Sequence, residues 1–299
     1  MLNVATHSGS FHADDVFAFA VLRAATQDRL TLTRTRDAER LAQADLLFDV
    51  GGIYDPPSRR YDHHMRDKPL RGDGAPYSSA GLIWRDYGVE AVKTLLPAVD
   101  DEAARKVWRI LDSGLVRDVD LVDNGAIETT CGHFAIVIEG WNPTFAEPDR
   151  DENEAFRQAS DIAYQVLGRS CARAYASVIA MDAVAAAAQA AADPRIIVLE
   201  RKVPWEDAVS ELALDQALYV VRPSGAVWSC NAVPPERGSF AQRLSLPEQW
   251  GGLRDAEFAA LSGVADATFC HPALFICGAV SRDGCIELAR RAIALGQPG

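Results

Sequence analysis

The sequence predicts an α/β protein: a parallel-sheet domain over residues 1–190, helical connector included, and a smaller α+β domain over residues 191–299. Three observations predict it. Short apolar runs alternate with stretches of helical spacing through the first 125 residues. A long helical stretch over 151–192 ends in an alanine-rich run and stops at Asp193-Pro194. Beyond that stop the pattern turns strand-rich.

The elements follow in chain order. Residues 2–6 read as a short buried strand. Residues 14–25 read as a helix, because Phe17, Ala20, Val21 and Ala24 recur at helical spacing. Residues 30–35 alternate and are β-rich, and the apolar run 44–50 ends in Asp49-Val50-Gly51-Gly52, a strand followed by a turn. Pro56, Pro57, Pro69 and Pro76 predict a long loop over 54–77. Helical patterns return over 79–87 and 102–115, and this alternation predicts parallel pairing. Alanine has the best helix propensity, so 185–192 extends a helix instead of forming a tether. Strands are expected over 196–199, 217–221 and 226–230, with Pro223-Ser224-Gly225 as a hairpin turn.

Composition narrows the function classes. Of 299 residues, 48% are apolar and 24% charged, enough for a sizeable core. A net charge of −12 repels polyanions at long range, which excludes a protein that coats nucleic acid by charge alone. It leaves open an enzyme whose bound cations make one site locally positive. The six cysteines form no C-x-x-C pair and are expected to be reduced, in a cytoplasmic protein. The first residues lack a basic, apolar leader, no run reaches the ~18 apolar residues of a membrane span, and no membrane partner is expected.

Four of the six histidines lie in two clusters: His7 and His12 with Asp14 and Asp15, and His63 and His64 with Asp62. Asp49 and Asp123 lie beside strand ends or turns. Imidazole and carboxylate together suit manganese, zinc or iron, and carboxylate-rich sites also accept magnesium. His7 follows the first strand and Asp49 closes a later one, and sites in open α/β sheets gather at strand carboxyl ends. Asp15 also has a structural use, opposing the positive end of the first helix. The deaminase, H-E-x-x-H and P-loop motifs are absent.

Asp62-His63-His64 resembles the signature of the DHH phosphoesterase superfamily. The wider series resembles the melanocyte-proliferating-gene exonuclease family: the run from Thr6 to Asp15, Asp49-Val50-Gly51-Gly52, Tyr61 to His64, Ser78 to Leu82, and Val119 to Gly125. It continues through Pro204-Trp205, Ser239 to Leu244, Gly252 to Asp255 and His271 to Gly278.

That resemblance implies a 3′–5′ exonuclease acting on single-stranded RNA, with a DHH-type metal domain joined to a smaller substrate-binding domain; the change from the alanine-rich run to a strand-rich pattern predicts that residues from about 195 to 299 close over the metal cleft. It implies two divalent ions, Mn²⁺ first and Mg²⁺ or others as options. His7, His12 and Asp49 would hold one ion; Asp14, His63 and Asp123, with Asp49 bridging, would hold the other. His64, with Asp62 beside it, would be catalytic and contact the reacting phosphate. Asp120 rivals Asp123, three positions away in what reads as one turn. Three carboxylates against two dications leave a net charge of about +1 for a phosphodiester. Arg59, Arg60, Arg66, Lys68 and Arg71 are candidates for a phosphate-facing rim. Lys202, Trp205, Arg243, Arg254, His271 and Gly278 are candidates for contact with the nucleotide chain, and Leu274 and Cys277 stand where the family is expected to have glycine. A small-molecule phosphoesterase (pyrophosphate, cyclic dinucleotide or very short RNA) is the alternative, and a non-catalytic metal- and nucleotide-binding regulator is a third reading. Assembly state is left open, a homodimer among the options.

Overall fold

A computed structural model describes residues 1–236 and 238–296. It divides into two compact units, Met1–Tyr175 and Ala176–Gly299, so the division falls inside a helix.

The first unit begins with β1 (Leu2–Thr6), α1 (Ala13–Thr26), β2 (Leu30–Arg34), α2 (Ala38–Ala42) and β3 (Leu46–Phe48). A hairpin of β4 (Tyr54–Asp55) and β5 (Arg60–Tyr61) follows. The helices α3 (Ser79–Leu95), α4 (Asp101–Leu111), α5 (Arg117–Asp123) and α6 (Phe134–Glu139) lead to α7 (Glu152–Ala190). The sheet order is β2-β1-β3-β5-β4. Its first four strands run parallel and β4 pairs antiparallel with β5.

The expected parallel sheet is therefore a mixed one. The antiparallel edge comes from 54–77, which the prolines predicted to be a loop. Pro56 opens a 3-10 turn between β4 and β5, a place where its missing N–H costs the ladder nothing. The helix expected over 102–115 continues through a π-helical turn (Asp112–Val116) into α5. Asp120 and Asp123 consequently lie on a helix, not in a turn.

Helix α1 is buried almost all round, from Ala13 to Leu22. Its apolar side chains suit a helix packed on several sides. Helix α7 is 39 residues long and, by length and composition, the one helix among the described residues apolar enough to cross a membrane. Alanine supplies much of that apolarity. Its buried apolar positions in the first unit, Ala155, Phe156, Ala159, Ala163, Leu167, Cys171 and Ala174, recur at helical spacing, the pattern of a helix packed along one stripe.

The second unit contains β6 (Ile196–Val198), α8 (Glu206–Glu211), β7 (Tyr219–Ser224), β8 (Val227–Ala232), α9 (Asp255–Ser262), β9 (Ala267–Cys270), β10 (Ile276–Ala279) and α10 (Arg282–Gly296). Its sheet, ordered β6-β7-β8-β10-β9, is antiparallel except for β6 with β7. Strand alternation gives it two cores. Tyr219 and Val221 pack with Cys230, Cys277 and Leu288, while Val220 packs on the other face with Val184, Ile197 and Trp205. The hairpin turn sits at residues 225–226, later than expected, because Pro223 and Ser224 still pair with Trp228 and Val227. Pro223 lies past the last residue paired to β6, where a missing N–H is harmless.

Candidate metal centre

Parallel order decides where the chemistry gathers. β1, β3 and β5 are adjacent and point the same way, so their carboxyl ends deliver His7, Asp49 and the Asp62-His63-His64 run to one edge. Helix α1 starts at that edge and adds His12, Asp14 and Asp15, and the last residue of α5 adds Asp123.

Three groups of candidate donors result: His7, Asp15 and Asp49; Asp49, His63 and His64; and, separately, His12, Asp14 and Asp123. Asp49 is shared by two of them. Its Oδ2 lies 3.1 Å from Nε2 of His7, and its Oδ1 lies 3.2 Å from Nε2 of His63. The same His63 nitrogen is 3.3 Å from Asp123 Oδ2 and 3.7 Å from Asp14 Oδ2. Asp49 holds φ at +53°, a left-handed conformation that aspartate tolerates better than most residues.

The polar atoms here are buried without enough protein partners. Both oxygens of Asp14, Oδ2 of Asp15 and both ring nitrogens of His63 lack a hydrogen bond. An unpaired buried carboxylate is costly and persists when it is neutralised or coordinates a cation. Burial, then the charges of Asp49, Asp123 and Asp15, push the Asp14 carboxyl well above its usual range. Burial would lower the His7 imidazole, but its contacts with Asp15 and Asp49 raise it, to about 10. Burial would raise Asp49, yet His63 and His7 hold it below the ordinary carboxylate range. Such a donor set, imidazole mixed with carboxylate, fits a divalent cation.

A surrounding layer fixes these donors. Asp15 Oδ1 accepts the His12 amide at 3.0 Å, capping α1, while its Oδ2 lies 3.3 Å from His7. It thus serves the helix and the donor cluster together. The loop between His7 and His12 is pinned by Asn142, whose side chain accepts from the Phe11 amide at 2.9 Å and donates to its carbonyl at 2.8 Å. Arg34 donates to the Gly9 carbonyl and lies over the rings of Phe11 and Phe156. Asp62 Oδ1 accepts the amides of His63 and His64 and lies 2.8 Å from His64 Nδ1, and Oδ2 accepts the Gly52 amide. The side chain of His64 remains 62% exposed, so its far nitrogen faces solvent.

Asp120 stands elsewhere. Fully buried, it accepts Nε and Nη2 of Arg71 on one oxygen, and the Ser78 amide, the Ser78 hydroxyl and the Gly81 amide on the other. Arg71 also reaches Asp112 at 2.9 Å, so it ties the 70–77 loop to the helices and does not face a substrate. A Cβ at Gly81 would sit 2.2 Å from Asp120, which explains the glycine.

In the second unit the expected contact residues scatter among roles. Trp205 is 4% exposed and packs in the core, leaving no free face for a base. Arg243 donates to the carbonyls of Leu214 and Ala217. Gly278 is required by packing, since a Cβ there would lie 2.7 Å from the Phe269 ring. His271 is exposed in the turn before β10, its ring against Phe275, and Lys202 and Arg254 are exposed. Leu274, where glycine is expected from the resemblance, has φ +60°, the conformation glycine takes most easily, whereas Cys277 is an ordinary buried strand residue.

The family model MYG1_exonuc, described as Uncharacterised protein family (UPF0160), matches residues 3–293. The chain belongs to the MYG1_exonuc family. It is 32% identical to the human protein named MYG1 exonuclease, over 97% of this chain and 85% of that one. A Caenorhabditis elegans MYG1 protein is 31% identical over 98% of this chain and 96% of its own, and a Schizosaccharomyces pombe MYG1 protein 30% over 99% of each. For this MYG1_exonuc member, sequence reasoning passed over Asn142 and Arg34 as supports of the donor loop. Neither carries a motif, because both act through backbone groups brought near only by folding.

Proposed function

We propose that this protein is a metal-dependent phosphodiesterase of the DHH type, a 3′–5′ exonuclease on single-stranded RNA that uses water activated at a dinuclear centre. The carrying observation is Asp49, whose two oxygens face His7 and His63 separately, amid carboxylates buried without partners. His7, His12, Asp14, Asp15, Asp49, His63 and Asp123 would hold the ions, most simply two Mn²⁺. Bound divalent ions supply Lewis-acid charge and lower the pKa of water.

The chain's own residues supply orientation and proton handling. Asp62 holds His64 by Nδ1 and by the backbone, which favours a proton on Nδ1 and leaves Nε2 toward solvent and substrate. With a second proton on Nε2, His64 would donate it to a phosphate oxygen or to the departing oxygen, while the Nδ1 proton stays on Asp62. The human relative's name, exonuclease, supports the reaction class. RNA, polarity and metal number rest on the resemblance and the donor geometry.

The test incubates purified protein and Mn²⁺ with end-labelled RNA, DNA, dinucleotides and pyrophosphate and resolves the products. Stepwise shortening of RNA from its 3′ end is expected. Hydrolysis confined to pyrophosphate or dinucleotides would replace this reading with a small-molecule phosphoesterase.

A further inference from the structure

We propose that Lys68 receives a non-bridging phosphate oxygen of the substrate at the rim of the metal centre; this rests on the phosphodiesterase reading above. Of the five basic side chains around the His63-His64 loop, Arg71 is buried on Asp120 and Asp112, and Arg60 is turned onto the carbonyls of Ser58 and Arg59. Lys68 instead places its ammonium 2.7 Å from Asn124 Oδ1, next in sequence to Asp123.

That placement is built from both ends of its loop. On one side Asp62 fixes His63 and His64. On the other, the Pro69 carbonyl accepts the Tyr77 amide and Leu70 bridges Pro76. Asn124 is itself committed, its amide nitrogen donating to the carbonyls of Tyr77 and Asp120 at 3.2 and 2.9 Å. Those bonds turn its oxygen outward, as an acceptor for the ammonium.

The charge count gives the ammonium a task. Asp15 joins Asp14, Asp49 and Asp123 in the donor cluster, so four carboxylates face two dications and the net charge is about zero. A phosphodiester approaching a neutral centre in a protein of net charge −12 needs another cation. Arg34 is turned behind the centre onto the carbonyls of Gly9 and Glu152. Lys68 is exposed, and its hydrogen bond to a neutral amide is easily exchanged for a phosphate.

The experiment measures binding of a phosphorothioate-linked single-stranded RNA by fluorescence anisotropy over a salt series. Wild type, Lys68→Met and Lys68→Arg are compared, with metal content, thermal midpoint and kcat/KM on ordinary RNA. Loss of one phosphate contact should flatten the log K against log salt slope of Lys68→Met by about 0.7. Its affinity at low salt should fall about tenfold, the cost of one hydrogen bond to a charged group, with metal content and midpoint kept. Lys68→Arg should keep the wild-type slope. An unchanged slope and affinity in Lys68→Met, beside an active wild type, overturns the inference alone, as does loss of metal from that variant. Wild type that neither cleaves nor binds RNA overturns the functional reading, and the inference with it.

Discussion

Asp62 grips His64 twice with a single oxygen: Oδ1 lies 2.8 Å from the ring Nδ1 and accepts the backbone amide at 3.1 Å. An asparagine would keep the shape and lose the charge that fixes the ring's proton. Asp62→Asn should lower kcat on RNA by about 10–100-fold, the usual range for a residue orienting a metal-site group. Metal content should stay near wild type, and the acidic and basic limbs of the pH–rate profile should move. An unaltered profile would make Asp62 a turn residue only.

Asp49→Asn removes the one carboxylate that faces both His7 and His63. Turnover should fall by more than the roughly 100-fold upper limit for a supporting residue, because metal is lost as well. Circular dichroism should remain that of the wild type. Full metal occupancy measured by mass spectrometry would remove Asp49 from the bridging position.

Metal-free protein should lose stability as pH rises. The His7 imidazole is raised to about 10, so its contribution is complete below its unfolded pKa of about 6.5 and disappears as pH climbs through about 10. Asp14 is also raised, so ionising it above its unfolded pKa of about 3.9 adds a further penalty. Asp49, held low, works in the opposite sense, and its contribution is lost only as pH falls below the ordinary carboxylate range. Thermal midpoints with chelator should drop from pH 6 to pH 9, and added Mn²⁺ should raise the midpoint more at pH 9. A midpoint rising with pH in chelator would contradict this.

Asp120 and Asp123 should separate cleanly. Arg71→Ala leaves the buried Asp120 carboxylate without its charge partner and should cost about 3–5 kcal/mol in urea unfolding, and Asp120→Asn, where Arg71 keeps Asp112, should cost less. Asp123→Asn, at a half-buried carboxylate facing His63, should spare stability and reduce metal binding. Reversed outcomes would exchange their roles.

Most of the candidate donors could be picked out in the sequence because they sit at strand ends and a helix start, where local pattern and cluster coincide; Asp123, at the end of α5, does not. His7 follows the apolar run of β1, Asp49 follows β3, and Asp14 opens α1. Asp15 was ambiguous for a physical reason: one oxygen caps α1 and the other faces His7. The β4–β5 hairpin was hidden by its prolines, and the register of α5 by the π-helical turn before it. Trp205 and Arg243 look like surface contacts in sequence, but their burial and bonding are set by residues distant along the chain.

Asn142 and Phe11, joined by two hydrogen bonds across 131 positions, also set an order of events during synthesis. Every candidate donor of the centre has been made by residue 123, yet the loop between His7 and His12 then has only its Arg34 brace. A second brace arrives with Asn142, and the second aromatic face for Arg34 arrives with Phe156. Long-range closure of this kind is slow compared with helix formation. On the proposed metal-dependent reading, a nascent chain stopped short of residue 142 should hold its ions loosely, and tight loading would follow, and report, completion of the first unit.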